Sequence, residues 1–113
     1  MSDLQILLQT NGPLPQSATF KAPASGPDTI YVTGSVWTQT AGSAIRITVS
    51  IDGAQVATAW IYANAAGSHT AVVPVFSPIT LPDSMGSHTV TISALNGVTS
   101  SDLNDNFQVA LLL

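Results

Sequence analysis

The sequence predicts an all-β fold, an antiparallel β-sandwich of jelly-roll type with about eight strands, in a single domain spanning residues 1–113, and three observations carry that prediction. The chain is 45% hydrophobic but only 7% charged, with Lys21 and Arg46 as its sole basic side chains and six Asp without a single Glu. Helix surfaces are built from Lys, Glu and Arg, so their scarcity beside abundant Thr, Val, Ile and Ser favours strands. Apolar residues recur with a period of two, most cleanly where Ile45, Ile47, Val49 and Ile51 alternate with Arg46, Thr48 and Ser50. Turn signals separate these runs at intervals of roughly 8 to 14 residues, the spacing of a sandwich, and no stretch sustains a helical period.

In order, Leu4, Ile6 and Leu8 alternate with Gln5 and Gln9 in a first strand over residues 3–9, which Asn11-Gly12-Pro13 and Pro15 end. Residues 17–21 form a short second strand, and turn residues across 23–27 precede a third over 29–37, in which Gly34 marks a bulge or a close backbone approach. Asp52-Gly53 tolerates the positive φ of a primed turn, so residues 43–62 form a hairpin. Residues 68–76 make a strand interrupted near Pro74, at an edge or a bulge, and Pro78, Pro82 and Asp83 punctuate the next crossing. Residues 87–95 alternate again before Asn96-Gly97 turns the chain. The closing strand carries Phe107, Val109, Leu111 and Leu113 on one face, and apolar Ala110 and Leu112 on the other. Such a strand wants cover on both sides, so it is expected in the middle of a sheet, with Ala110, Leu112 and Leu113 at an interface between subunits.

Bulk properties bound the partners. A chain of this length buries about two thirds of its unfolded surface in one core. A formal net charge of −4 with two cations offers no basic patch to nucleic acid and no polybasic face to anionic lipid. With no cysteine there are no disulfides or thiolate metal sites. Residues 1–10 show neither a basic n-region nor a long apolar run, so no Sec signal and no membrane insertion are expected. The hydroxyl- and amide-rich surface suits a virion particle or an extracellular, cell-surface setting.

Candidate chemistry is sparse. Asp102, Asn104 and Asn106 have the alternate spacing of the first calcium-loop ligands, but Phe107 stands where the loop needs glycine and the chain ends where a bidentate Glu belongs. An Asx turn capping the last strand is preferred over a calcium site there. His69 and His88 sit in a repeated Gly-Ser-His-Thr tetrapeptide, residues 67–70 and 86–89, and are expected at strand starts, satisfied by neighbouring hydroxyls. With no Glu, no Cys and no nucleophile elbow, no catalytic residues are expected and the chain is not read as an enzyme. Trp37, Trp60 and Tyr62, with Tyr31, could stack on pyranose faces, although aromatic residues more often serve as core or interface anchors.

Residues 48–58, centred on Asp52-Gly53, and residues 86–92 resemble segments of small jelly-roll modules found in phage tail-fibre and virion decoration proteins, bacterial surface proteins and carbohydrate-binding modules. The closing strand resembles the last strand of trimeric C1q and tumour-necrosis-factor sandwiches. The resemblance implies no specific site residues. It implies a non-catalytic structural or attachment module, a homotrimeric virion or surface component such as a tail-fibre or capsid decoration protein, with itself and other virion or surface proteins as partners. The alternative is a lectin-like domain that takes glycans through Trp37, Trp60 and Tyr62, with calcium at Asp102, Asn104 and Asn106 as its only candidate cofactor.

Overall fold

A computed structural model describes residues 4–22, 27–81 and 86–112. Leu113 and the turn signals at 23–26 and 82–83 lie outside the described residues. Among the described residues nine strands run in chain order: β1 Leu4–Asn11, β2 Gln16–Lys21, β3 Pro27–Val36, β4 Ser43–Ile51, β5 Ala54–Ala63, β6 Thr70–Ala71, β7 Val75–Thr80, β8 Ser87–Ala94 and β9 Asn106–Leu112. They form two antiparallel sheets, one ordered β1-β9-β3 with β6 and β7 sharing the far edge of β3, the other ordered β2-β8-β4-β5. Apart from the β4–β5 hairpin, successive long strands thus cross between sheets, which is the jelly-roll plan.

The expected eight strands become nine because the strand expected over residues 68–76 is broken. Pro74 cannot donate to a ladder, and the chain leaves β3 after the Val72 amide bonds the Gly34 carbonyl and rejoins it at Val75. Pro78, expected to punctuate a crossing, instead lies within β7 opposite Thr29, where an edge strand tolerates it.

The period-two pattern holds where it is cleanest. Ile45, Ile47, Val49 and Ile51 meet Ile30, Val32, Val90, Ile92, Val109 and Leu111 in one buried cluster between the sheets. The hairpin turns at Asp52 (φ 52°) and Gly53 (φ 86°), the two positive values a primed turn needs. Gly34 is a close approach and not a bulge: a Cβ there would run into the Phe107 ring packed over it from β9.

β9 lies centrally between β1 and β3. Its outward face departs from expectation at Ala110, which is only 1% exposed within this one chain, because its methyl lies between the larger side chains of its cross-strand neighbours Ile6 and Tyr31. Leu112 is half-buried between Leu4 and Thr29. The apolar groups left in solvent on this face are Leu4, Ile6 and Phe76, with Tyr31 stacked on Phe76 at 4.7 Å.

Candidate functional site

The register of the β2-β8-β4-β5 sheet dictates what its outer face carries. Because β4 turns its isoleucines inward, Arg46, Thr48 and Ser50 face out, and antiparallel pairing sets them beside Trp60, Thr58 and Gln55 of β5 and beside Ser93 and Thr91 of β8. Ser17 of β2 continues the row, its hydroxyl 2.9 Å from that of Thr91. The result is a sheet surface of hydroxyls with aromatic groups concentrated at one edge.

That edge is β5. Trp60 and Tyr62, two residues apart, point to the same side and are 49% and 53% exposed. The Arg46 guanidinium lies 5.5 Å from the centroid of the Trp60 ring, fixing the indole by a cation–π contact. The break at Pro74 supplies the third apolar group, since the Val73 amide reaches the Trp60 carbonyl at 3.3 Å and the Val73 side chain is left exposed. Thr58, Trp60, Ile61, Tyr62, Val73 and Val75 line a shallow, largely apolar groove of about 390 Å³.

The four aromatic residues proposed from sequence do not share a surface. Tyr31 faces out from the opposite sheet against Phe76. Trp37 follows β3, bridges Ser100 through paired backbone bonds, and packs half-buried with its ring 5.9 Å from that of His69. Trp60 and Tyr62 share a face because they stand two residues apart on one strand, but nothing in the sequence could tell which sheet Trp37 would join.

A second constellation gathers where the turn before β9 meets the segment leading into β6. Asp105 is fully buried and its carboxylate takes three donors: the Ser35 hydroxyl at 2.9 Å, the His69 Nδ1 at 2.7 Å and the Asp102 backbone amide at 2.9 Å. Asp102 Oδ2 stands 3.6 Å from His69 Nε2. The hydrogen bond to Asp105, reinforced by the charges of Asp105 and Asp102 and opposed by burial, raises the His69 pKa above the ordinary imidazole value. Asp102 Oδ1 accepts the Asn104 amide at 2.8 Å, so the Asp102–Asn104 pair forms the expected Asx turn. Asn106 opens β9 with its side chain exposed. The ligand-type cluster here is therefore His69, Asp102 and Asp105, of which only Asp102 belongs to the candidate calcium set.

Both histidines sit at strand starts as expected, but carboxylates satisfy them rather than hydroxyls. His88 is buried against Phe20, with its Nδ1 on Asp52 Oδ2. Asp52 also accepts the Thr89 amide at 2.9 Å and returns its own amide to the Thr89 carbonyl. The His88 hydrogen bond, then that from Thr89, lowers the Asp52 pKa below the ordinary carboxylate value. Among the described residues no Ser or Thr hydroxyl bonds the His69 ring, and Ser35 donates to Asp105 instead.

No protein-family model matches the chain, and no curated protein sequence matches it. Solved structures do. A β-glucosidase from Paenibacillus barengoltzii superposes with a TM-score of 0.53 at 12% identity over 91% of this chain, which corresponds to 10% of the length of that enzyme. A family 35 carbohydrate-binding module from Clostridium thermocellum superposes with a TM-score of 0.51 at 10% identity, covering 86% of this chain and 68% of the module. At such identities the likeness is one of fold: this chain shares the two-sheet architecture of a carbohydrate-binding module.

Proposed function

We propose that residues 1–113 act as one non-catalytic glycan-binding domain at the cell surface or outside the cell, holding a saccharide along the outer face of the β2-β8-β4-β5 sheet. The observation that carries this reading is the pairing of Trp60 and Tyr62, half-exposed on one strand, with a field of Thr and Ser hydroxyls on the same face. A pyranose presents the same two chemistries, an apolar face of C–H groups and a rim of hydroxyls. The face of Trp60 that Arg46 leaves free and the ring of Tyr62 supply the stacking surface, while the hydroxyls of Ser50, Thr91 and Ser93 supply partners for the rim. The fold likeness to a carbohydrate-binding module agrees with this reading. Retention on immobilised polysaccharides and a glycan array test it. Trp60→Ala, which removes an exposed ring and leaves the core intact, should weaken binding by up to about tenfold, since one aromatic contact contributes up to about 1.5 kcal/mol. The melting temperature should stay within a few degrees of the wild type. Retention of no glycan by the wild type would overturn the proposal.

A second reading, self-assembly into a surface or virion component, is favoured by one observation. The outer face of the other sheet exposes Leu4, Ile6 and Phe76 around half-buried Leu112. Assembly on that face would leave the glycan face free, so the two readings are compatible.

A further inference from the structure

The His69 ring is held on one side and open on the other. Asp105 Oδ1 is a buried acceptor already taking the Ser35 hydroxyl, so the His69 nitrogen 2.7 Å away must be the donor, and Nδ1 carries a proton. This leaves Nε2, on the solvent side, as the nitrogen whose lone pair is available to a ligand.

Nε2 lies 3.6 Å from Asp102 Oδ2. That separation exceeds the roughly 3.2 Å limit of a good hydrogen bond. It is also too short for a water bridge, because two groups each about 2.8 Å from a tetrahedral water stand roughly 4.6 Å apart. It does match the bite of a single divalent ion: ligands each about 2.1 Å from one centre, at an angle of about 110–120°, stand roughly 3.4–3.6 Å apart. The carboxylate is fixed as firmly as the ring. Asp102 Oδ1 is held by the Asn104 amide and the Asp102 amide is held by Asp105, so one buried carboxylate orients both candidate ligands. Behind Asp102, its carbonyl packs on Gly12, where a Cβ would come within 2.6 Å of the oxygen.

The geometry points to an open site for a zinc-like divalent cation, with His69 Nε2 and Asp102 Oδ2 as ligands and Asp105 as the positioning residue that holds His69 through Nδ1. A carboxylate behind the second nitrogen of a ligating imidazole fixes its tautomer and orientation and strengthens it as a donor. An imidazole nitrogen beside one carboxylate selects zinc, nickel or copper over calcium, which asks for six to eight oxygens. The ligand side chains are 34% and 42% exposed, leaving the remaining coordination positions to water or to a donor from a bound molecule. Where the ring is doubly protonated, the ion takes the place of the Nε2 proton, which passes to solvent.

Imidazole ¹H–¹⁵N spectra of the intact protein titrated with zinc chloride test the site, and the two histidines of the chain make them simple to assign. The expected result is a saturable shift of His69 Nε2 with Nδ1 still protonated and His88 unmoved. Asp102→Asn should weaken the interaction by about tenfold or more, and Asp105→Asn by between about 10- and 100-fold. Because Asp105 is buried, its variant is compared only if its circular dichroism matches the wild type, and Asp102→Asn, on a 42% exposed side chain, tests the same site with the His69 signal still present. Calcium chloride should leave Nε2 where it is. An unmoved Nε2 at millimolar zinc, or an Asp102→Asn variant that binds as well as the wild type, would reduce the pair to an imidazolium–carboxylate contact and overturn the assignment.

Discussion

Asp52 has two tasks that pull on different parts of it. Its backbone adopts φ 52° to turn the β4–β5 hairpin, and its carboxylate reaches across to His88 and to the Thr89 amide, tying the hairpin tip to β8. Because the folded-state pKa of Asp52 is lowered, the stability it contributes is fully present above the unfolded carboxylate value of about 3.9 and is lost as pH falls through the folded value. Asp52→Asn should therefore melt at a lower temperature than the wild type near neutrality, and the two should converge in melts taken progressively below about pH 4. A constant gap down to pH 2 would assign the cost to the turn backbone instead. The repeated Gly-Ser-His-Thr tetrapeptide made the strand-start positions of both histidines legible. Their partners were not, since Asp105 lies 36 residues after His69 and Asp52 lies 36 before His88, separations set by the tertiary fold and by no local period.

At the level of elements, alternation revealed β4 and β8 because each buries one face and turns hydroxyls outward on the other, β9 stood out as apolar on both faces, and the Asp-Gly signal located the hairpin. Proline was harder to interpret. At Pro74 it breaks a strand and at Pro78 it rides within one, although both lie along the same edge of β3, a position invisible in sequence. β9 offers the element-scale test. Leu111 is wholly buried in the core, whereas Leu112 borders the exposed Leu4 and Ile6 on the outer face. If that face pairs subunits, the wild type should sediment above the 11.6 kDa of one chain. Leu112→Asp should then return it to that mass, at about 3–5 kcal/mol for a carboxylate buried without a partner. Leu111→Asp should unfold the domain in either case. A wild type and Leu112→Asp variant that both sediment as single chains with equal melting temperatures would end the assembly reading.

Across the molecule, the jelly roll distributes its chemistry over separate surfaces. One sheet exposes Trp60, Tyr62 and hydroxyls, the other exposes Leu4, Ile6 and Phe76, and the end where β9 begins holds His69, Asp102 and Asp105. The sheet class was readable from composition and period, but which face each aromatic residue would occupy depended on pairings between strands far apart in the chain. The pairing of β1 with β9, which sets Leu4 opposite Leu112, spans almost the whole sequence. With Leu4 opposite Leu112 the described backbone is topologically a ring with one missing link, and that gap can be moved to any loop without disturbing the two sheets. A circular permutant that joins the ends of β1 and β9 through a short turn and opens instead at exposed Gly97, where a side chain would meet nothing within 4 Å, keeps every ladder. It should reproduce the wild-type circular dichroism and glycan retention, whereas opening the ring inside β4 should leave a chain that does not fold.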